Sequence, residues 1–385
     1  MSLREVIRER IRNEGPLPFA DYAELALYHA DLGYYARAEQ RSGRAGDFAT
    51  SVDLGPLFGA LLALQFAQMW RLLHSPPAGG RFDLVEAAAG NGRLARDVLD
   101  AAAEDDPAFY DAIDLHLVER SRTARDAQAA TLGRHAGKLA SSGPTIPPAV
   151  DGVIFANELL DALPPHVLQM TGDGLREVHV DHDEETGRFA ERLGPLSNAR
   201  VRAHVDDRRI ALEPGWRAEV VPDAADWVRQ AVTALTRGFM VLIDYGHEAG
   251  ELYSATHAAG TLTTYRGQRT ANAGDGAHPP WLAAPGECDI TAHVDLTLVR
   301  DAAEGAGART LGVLDQTYFL LGLGAVARVG RESGQDAVAG LRERLALKSL
   351  LVPGGLGSTH KVMIFGKGVG APDLAGCSWR IRTTR

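Results

Sequence analysis

Cysteine is scarce in this chain of 385 residues, which contains only Cys288 and Cys377. Two isolated cysteines form neither the paired spacing of a zinc site nor the framework of a disulfide-stabilised secreted domain. This scarcity is consistent with a reducing compartment, and we expect a cytoplasmic protein. The opening segment MSLREVIRERIRNEG carries Arg and Glu throughout, so it predicts an amphipathic helix rather than a secretion signal.

Long hydrophobic runs and an excess of positive charge are also missing. No stretch of about 18 apolar residues occurs, so the sequence predicts no membrane-spanning helix. The formal net charge is −10 at pH 7, and the pI is about 5.7. Because no overall basic field would attract phosphate groups, nucleic acid is not an expected partner. Apolar residues make up 45% of the chain, enough for the core of a globular protein.

What the sequence does contain is a regular succession of short apolar runs and helical segments. Strands rich in Val, Ile and Leu are predicted at 82–87, 113–119, 152–158, 238–246, 308–315 and 360–368. Such runs, alternating with helices, are typical of an α/β fold with a mostly parallel, Rossmann-like sheet covered on both faces.

The residues before the first of these strands have a different character. They predict helices at 3–12, 18–29 and 57–73, and the segment SPPAGG at 75–80 breaks the chain. We therefore divide the chain into an N-terminal helical region, 1–75, which contributes to the cofactor pocket, and a main domain, 76–385. The apolar helix at 57–73 has two interpretations, a homodimer interface or a cover for the sheet.

Two segments interrupt the main domain. Residues 165–220 alternate polar and apolar side chains and predict a β-rich insertion of hairpins, whereas residues 247–290 are rich in Gly, Pro and Thr and predict a long loop. Long loops inside an α/β domain usually belong to the functional site. We therefore expect the two insertions to form the acceptor side, which is the side of the site that binds the acceptor substrate. His179 and His182 in the first insertion have no third ligand at a suitable spacing, so no metal is expected there.

The stretch FDLVEAAAGNGRL, residues 82–94, runs from a predicted strand through small residues into a helix. A nicotinamide dinucleotide would need the spacing G-x-G-x-x-G, whose backbone cradles a pyrophosphate at a helix N-terminus. Only Gly90 and Gly92 are present, so this turn argues against such a cofactor. S-adenosylmethionine has no phosphate and carries a sulfonium cation. We therefore expect Gly90 and Gly92 to contact it, with Glu86 supplying negative charge.

A second carboxylate, Glu119, ends the next predicted strand. A carboxylate at this position can accept hydrogen bonds from the hydroxyls of a ribose, as it does in dinucleotide-binding sheets. The alternative is that Glu119 simply faces water at the end of its strand. Its pairing with Glu86 favours a cofactor-binding role.

The segment GVIFANELLDALPPHV, residues 152–167, resembles a family of S-adenosylmethionine-dependent methyltransferases related to the mitochondrial complex I assembly arginine methyltransferase. The resemblance extends over nearly the whole chain and includes GPLPFADYAELALYHADLGYYA, GDFATSVDLGPLFG, LIDYG and PGECDITAHVDL. It implies a class I methyltransferase fold with S-adenosylmethionine as cofactor. It also implies that the methyl acceptor is an arginine side chain of a protein substrate.

Four residues depart from the pattern of that family, and the first is Ala30, where the family usually has proline. Ala88 and Ala89 stand where the family usually has the glycine and proline of E-x-G-P-G-x-G, and His360 stands where it usually has phenylalanine. Alanine at position 88 would cost roughly 1 kcal/mol if the turn requires a positive φ. A non-catalytic assembly or binding module that keeps the fold is therefore the alternative to an enzyme.

The polar cluster at the end of the strand 152–158 supplies the candidate catalytic residues. An arginine guanidinium is protonated at neutral pH, so carboxylates are needed to orient it. Glu158 and Asp161 stand three residues apart where the strand is expected to pass into a helix, which would place them on one side. The alternative is that they cap this helix. Asn157 is expected to direct its amide toward the cofactor.

The N-terminal region supplies further predicted contacts. Asp47, Thr50 and Ser51 lie in the segment GDFATS. We expect them to form a loop over the cofactor, because glycine permits the turn and the polar side chains can hydrogen-bond to a ligand. The alternative is a simple cap for the helix that follows.

Overall fold

The structure is a computed structural model that describes residues 1–36, 51–74, 80–266, 269–272, 279–332, 337–351 and 356–379. The chain divides into two compact units, each discontinuous in sequence. The sheet unit comprises Ala49–Leu159, Val228–Tyr245 and Arg300–Arg385. The hairpin unit comprises Met1–Phe48, Leu160–Trp227 and Gly246–Val299.

This grouping differs from the division predicted at residue 75. Helix Leu57–Leu73 belongs to the sheet unit, whereas helices Leu3–Glu14 and Phe19–Tyr28 group with the two insertions. The chain leaves each unit and later returns to it. The segment SPPAGG at 75–80 indicates only a local break in secondary structure. It does not indicate that the chain returns to a unit later in the sequence.

The sheet unit is built on seven strands: β1 (Phe82–Ala87), β2 (Ile113–Val118), β3 (Leu139–Gly143), β4 (Val150–Asn157), β5 (Leu235–His247), β6 (Arg309–Asp315) and β7 (His360–Lys367). They lie in the order β6-β7-β5-β4-β1-β2-β3. The neighbours from β5 to β3 are parallel, and β7 is antiparallel to both β5 and β6. The predicted mostly parallel α/β sheet is confirmed, and the carboxyl ends of β1, β2 and β4 meet at one edge.

Helices connect and cover these strands. Those wholly within the sheet unit are Leu57–Leu73, Arg93–Asp105, Pro107–Ala112, Arg122–Leu132, Gln316–Gly322, Ala325–Glu332, Ala337–Leu351 and Leu356–Thr359. Helices Pro222–Ala234 and Leu296–Gly305 contain residues of both units, and so does strand β5, whose last two residues belong to the hairpin unit. Strands β1, β4 and β5 are buried over most of their length, as expected for the centre of a sheet covered on both faces.

Helix Leu57–Leu73 packs on the sheet. The ring centroid of Phe66 lies 4.9 Å from that of Phe155 in β4. Gly59 approaches the neighbouring helix so closely that a Cβ atom there would lie 2.7 Å from the Cβ atom of Asp97. These contacts favour the interpretation of the helix as a cover for the sheet. Neither this helix nor any other helix in the described part of the chain is long and apolar enough to cross a membrane.

The hairpin unit holds the β-rich insertion. Strands His166–Thr171, Gly174–Asp183, Arg188–Gly194 and Arg217–Val220 form an antiparallel sheet together with Leu17–Pro18. The hairpins expected in this insertion are therefore present. Helix Ala199–Asp207 was not predicted, and it begins after Asn198, whose side chain accepts a hydrogen bond from the backbone N–H of Val201.

The segment 247–290, predicted as a long loop, contains regular elements. Strands Thr263–Arg266, Arg269–Asn272 and Asp289–Thr291 form an antiparallel sheet, and short helices span Ala249–Leu252 and Pro280–Ala283. The prediction of a loop without structure is wrong here. Strand Asp289–Thr291 pairs with residues distant in sequence, and local composition does not report such pairing.

Candidate active site

The turn after β1 has the backbone conformation of a glycine-rich turn, although alanine occupies one of its positions. Ala88, Gly90 and Gly92 have φ values of 54°, 51° and 85°. The N–H of Ala89 donates to the carbonyl of Val118 at 3.1 Å, which ties the turn to the end of β2. A Cβ atom at Gly90 would meet no atom within 4 Å, so the turn borders open space. There is room for a ligand beside the backbone.

Ala88→Gly is expected to stabilise the protein by up to about 1 kcal/mol, because glycine removes the steric cost of a left-handed backbone. The free energy of unfolding in urea measures the gain. Ala89→Gly is the matched control, since Ala89 is buried and has no positive φ, and it should be destabilising. Equal changes in the two variants would show that position 88 is not strained.

Glu86 lies in β1 and is only 4% exposed. Its carboxylate accepts a hydrogen bond at 3.0 Å from the N–H of Ala95, in the first turn of helix Arg93–Asp105. Burial raises the pKa of this carboxyl well above its ordinary value of 4.5, and the carboxylates of Glu119 and Asp97 add to the rise. Glu86 therefore holds the start of the helix behind the turn, and a nearby cation would favour its ionised form.

Glu119 directly follows β2 and is bonded to the same turn. One carboxylate oxygen accepts from the N–H of Gly90 at 2.9 Å, and the other accepts from the N–H of Ser121 at 2.7 Å. The amide of Gln128 donates to the carbonyl of Gly90 at 2.9 Å. The carboxylate of Glu119 and the turn after β1 therefore lie together, as expected from their positions at the ends of two predicted strands.

Asn157 and Glu158 stand at the carboxyl end of β4. Glu158 has a φ of 53°, and its N–H donates to the carbonyl of Ile243 in β5 at 2.8 Å. A positive φ on a residue with a side chain costs about 1–2 kcal/mol, and such strain clusters at functional sites. The amide of Asn157 donates to the carboxylate of Glu158 at 3.0 Å. Together these features give the carboxylate a defined direction.

The helix expected after β4 is absent. Residues 158–165 form turns and bends, so neither Glu158 nor Asp161 caps a helix, and that alternative is excluded. Pro164 and Pro165 give the physical reason, since proline lacks an N–H and disfavours a helical conformation in the residue before it. The prediction that helical spacing places the two carboxylates on one side was wrong.

Two other side chains lie near Glu158 within the sheet unit. Asp244 in β5 is 2% exposed and accepts hydrogen bonds from the N–H groups of Leu159 at 3.2 Å and Tyr245 at 2.9 Å. His360, the first residue of β7, places Nε2 3.5 Å from Oε1 of Glu158. When protonated, this histidine pairs with the carboxylate. In the sequence, His360 is distinguished only as a departure from the family pattern.

Asp161 belongs to the hairpin unit, just beyond the boundary after Leu159. It is 4% exposed, and its backbone carbonyl accepts from the N–H of Ala292 at 3.1 Å. Burial raises the pKa of Tyr35 well above its ordinary value of 10.0, and the negative charges of Asp289 and Asp161 are among the groups that add to the rise. Asp161 is therefore part of a buried acidic cluster with Tyr35.

Asp289 is a buried carboxylate that was not among the predicted site residues. The hydroxyl of Tyr35 donates to its two oxygens at 2.9 and 3.1 Å, and the ring of Tyr28 stacks on Tyr35 with centroids 5.2 Å apart. Carboxylates and aromatic faces are groups that bind cations. The signal available in the sequence was the segment PGECDITAHVDL, which contains Asp289 and resembles the family.

Ser51 is the described member of the loop that was predicted to cover the cofactor. It is fully buried, and its hydroxyl donates to the amide oxygen of Gln316 at 3.2 Å. It begins the 3-10 helix Ser51–Leu54 and anchors this segment within the sheet unit. Asp47 and Thr50 lie outside the described residues, so the contact of this loop with the cofactor stays a prediction.

Comparison with known proteins agrees with this geometry. Residues 61–314 match a family of S-adenosyl-L-methionine-dependent methyltransferases. The chain is 32% identical over 349 residues to the mitochondrial protein arginine methyltransferase NDUFAF7 of Homo sapiens, and the match covers 83% of this chain and 73% of that protein. The Mus musculus protein of the same name is 30% identical over 348 residues, with the same coverage.

A solved structure is similar over nearly the full length. The similar structure is that of a protein from Burkholderia thailandensis bound to S-adenosyl-homocysteine. That protein is 31% identical to this chain, with a TM-score of 0.86, and the match covers 99% of this chain and 95% of the other. S-adenosyl-homocysteine is S-adenosylmethionine without its methyl group. The open space beside Gly90 and the adjacent carboxylate of Glu119 fit the same kind of ligand. This chain therefore belongs to the family of S-adenosyl-L-methionine-dependent methyltransferases.

Proposed function

We propose that this methyltransferase modifies an arginine side chain of a protein substrate. The observation that carries the proposal is the carboxylate of Glu158, held at the carboxyl end of β4 by Asn157 and a left-handed backbone. A guanidinium is protonated and presents five N–H donors, so a fixed carboxylate is a suitable partner for it. The names of the human and mouse relatives, which are protein arginine methyltransferases, support the same acceptor.

We assign the methyl donor to the edge of the sheet formed by the ends of β1, β2 and β4. Ligands of open α/β sheets bind at the carboxyl ends of the strands. Glu119 would accept hydrogen bonds from the ribose hydroxyls. Gly90 and Gly92 would let the backbone approach the amino-acid portion of the donor.

The remaining proposed contacts depend on charge and on a covering loop. Glu86 would add negative charge near the cationic donor from behind the turn, and Asn157 would present its amide. Asp47, Thr50 and Ser51 would close the loop over the donor. Since Ser51 is already bonded to Gln316, its contribution would be to anchor that loop.

The donor supplies a methyl group that is already activated by a positively charged sulfur. The task of the protein is orientation, because the attacking nitrogen must lie within about 3–3.5 Å of the methyl carbon and in line with the breaking bond. Glu158 would hold the guanidinium through its N–H groups, and the catalytic role expected of Asp161 stays a prediction. As the N–C bond forms and the C–S bond breaks, the attacking nitrogen releases one proton, which Glu158 would accept.

Methyl transfer to arginine is tested by incubating the purified protein with methyl-labelled S-adenosylmethionine and an extract from a strain that lacks this chain. We expect one or a few labelled protein bands whose hydrolysis releases methylarginine, and an excess of S-adenosyl-homocysteine should suppress the label. Label on another amino acid or on nucleic acid would contradict the arginine assignment. No label despite calorimetric binding of S-adenosyl-homocysteine would support a binding module instead.

Two other predictions concern the setting of the enzyme. A cytoplasmic location is proposed from the scarcity of cysteine, although the eukaryotic relatives named above are mitochondrial. Fractionation of cells that express the tagged chain would test it. A homodimer also stays a proposal. Leu64 and Leu72 are the exposed leucines of helix Leu57–Leu73 and would lie in its interface, and sedimentation analysis would measure the oligomeric state.

A further inference from the structure

Three histidines come together in the hairpin unit. His247 ends β5, His257 ends the 3-10 helix Ala255–His257, and His293 precedes the short strand Val294–Asp295. The ring centroid of His247 lies 4.6 Å from that of His257 and 5.2 Å from that of His293. One nitrogen from each ring can be chosen so that all three atoms lie within 4.8 Å of one another. No other potential metal-binding group of this size occurs among the residues that the structure describes.

The backbone holds two of these histidines in adjacent positions. Gly246 and His247 pair in parallel with Val294 and Asp295, and His293 directly precedes Val294. The backbone N–H of His293 also donates to the hydroxyl of Thr261 at 3.1 Å. Strand pairing and this hydrogen bond therefore fix the backbone from which the rings of His247 and His293 project.

Glu251 orients two rings of the cluster, those of His257 and His247. Nδ1 of His257 lies 3.0 Å from the backbone carbonyl of Glu251, and a carbonyl can only accept, so Nδ1 carries the proton. Nδ1 of His247 lies 3.1 Å from the carboxylate of the same residue. Each bond places the lone pair on Nε2. Metal-binding histidines show this pattern, in which the other ring N–H donates to a carboxylate or a backbone carbonyl.

The third ring, that of His293, completes the cluster. It is half-buried, and its centroid lies 6.0 Å from that of His257. A metal ion binds the neutral form of each imidazole.

We propose that His247, His257 and His293 bind one zinc ion, with water as the fourth ligand. Neutral imidazole nitrogens suit zinc, which accepts three protein ligands and a water in tetrahedral geometry. Zinc–nitrogen bonds of about 2.0–2.1 Å require ligand atoms closer than the present upper separation of 4.8 Å, and small side-chain rotations would supply the difference. This site goes beyond the proposed methyl transfer and does not depend on it.

The test uses the full chain, freed of metal with a chelator and dialysed. Cobalt(II), a zinc substitute with visible absorption, should give a tetrahedral spectrum that saturates at one equivalent and disappears when zinc is added. Competition with a chromophoric chelator then gives the zinc affinity. Zinc should also raise the melting temperature of the wild-type protein.

His257→Asn is the first variant because this half-buried residue lies in a short connecting helix, and His179→Asn is the matched control on a hairpin strand. We expect His257→Asn to weaken zinc binding by on the order of tenfold to a hundredfold and to abolish the melting shift, with no change in His179→Asn. His247→Asn provides the same comparison if the first variant does not fold. Absence of a saturable cobalt spectrum, or equal zinc affinity in the cluster variants and the control, would overturn the proposal.

Discussion

Glu158→Gln is expected to lower the rate of methyl transfer by about 10²–10⁴-fold while leaving the affinity for S-adenosyl-homocysteine within a few-fold. The amide keeps the shape of the side chain but removes the negative charge that would orient the guanidinium and accept its proton. The hydrogen bond from the Asn157 amide to the side-chain oxygen can persist in the variant. The loss should therefore appear in kcat rather than in cofactor binding.

Steady-state methylation of the arginine substrate measures the rate, and calorimetry measures the affinity for S-adenosyl-homocysteine. Glu185→Gln is the control, because Glu185 is exposed on a turn and the chemical change is identical. Wild-type turnover in Glu158→Gln would refute the catalytic assignment. A parallel loss of cofactor affinity would indicate that Glu158 contributes to the cofactor site instead.

Glu119→Ala is expected to weaken the binding of S-adenosyl-homocysteine by about tenfold to a hundredfold. The estimate follows from the loss of a hydrogen bond to a charged group, worth about 1.5–3 kcal/mol. The substitution also removes the acceptor of the Gly90 N–H, so the turn beside the cofactor loses one of its restraints. Both effects act on the cofactor, and the rate at saturating S-adenosylmethionine should change less than the affinity.

Calorimetry with S-adenosyl-homocysteine measures this change directly. Asp114→Ala is the matched control, because Asp114 is a carboxylate at the opposite end of the same strand, where it pairs with Arg81 on the surface. It should leave cofactor affinity unchanged. If Glu119→Ala binds as tightly as the control, the carboxylate at the tip of β2 does not hold the ribose.

The sheet strands could be predicted closely from the sequence. Strand β1 was predicted at 82–87, which agrees with the structure, and helix 57–73 has the predicted bounds. These segments are long or strongly apolar, and their pattern of burial is a local property. The cofactor class could also be predicted, because a phosphate cradle requires glycines that the turn 88–92 does not have.

Segments whose structure depends on distant partners could not be predicted. Residues 158–165 do not form the expected helix, and strand Asp289–Thr291 exists because it pairs with Thr263–Tyr265. Nothing in the short-range spacing of these segments distinguishes a strand from a loop. A partner contributed by another part of the chain determines the outcome.

The sequence by itself determined the α/β class, the order of the strands along the chain and the acidic residues at the strand tips, because each follows from local composition and periodicity. Only the tertiary structure decided which of these groups meet. It set the left-handed backbone of Glu158, placed His360 beside that carboxylate, and brought His247, His257 and His293 together. The physical reason is that side-chain proximity arises from strand pairing and packing between segments far apart in the chain, which no local pattern encodes.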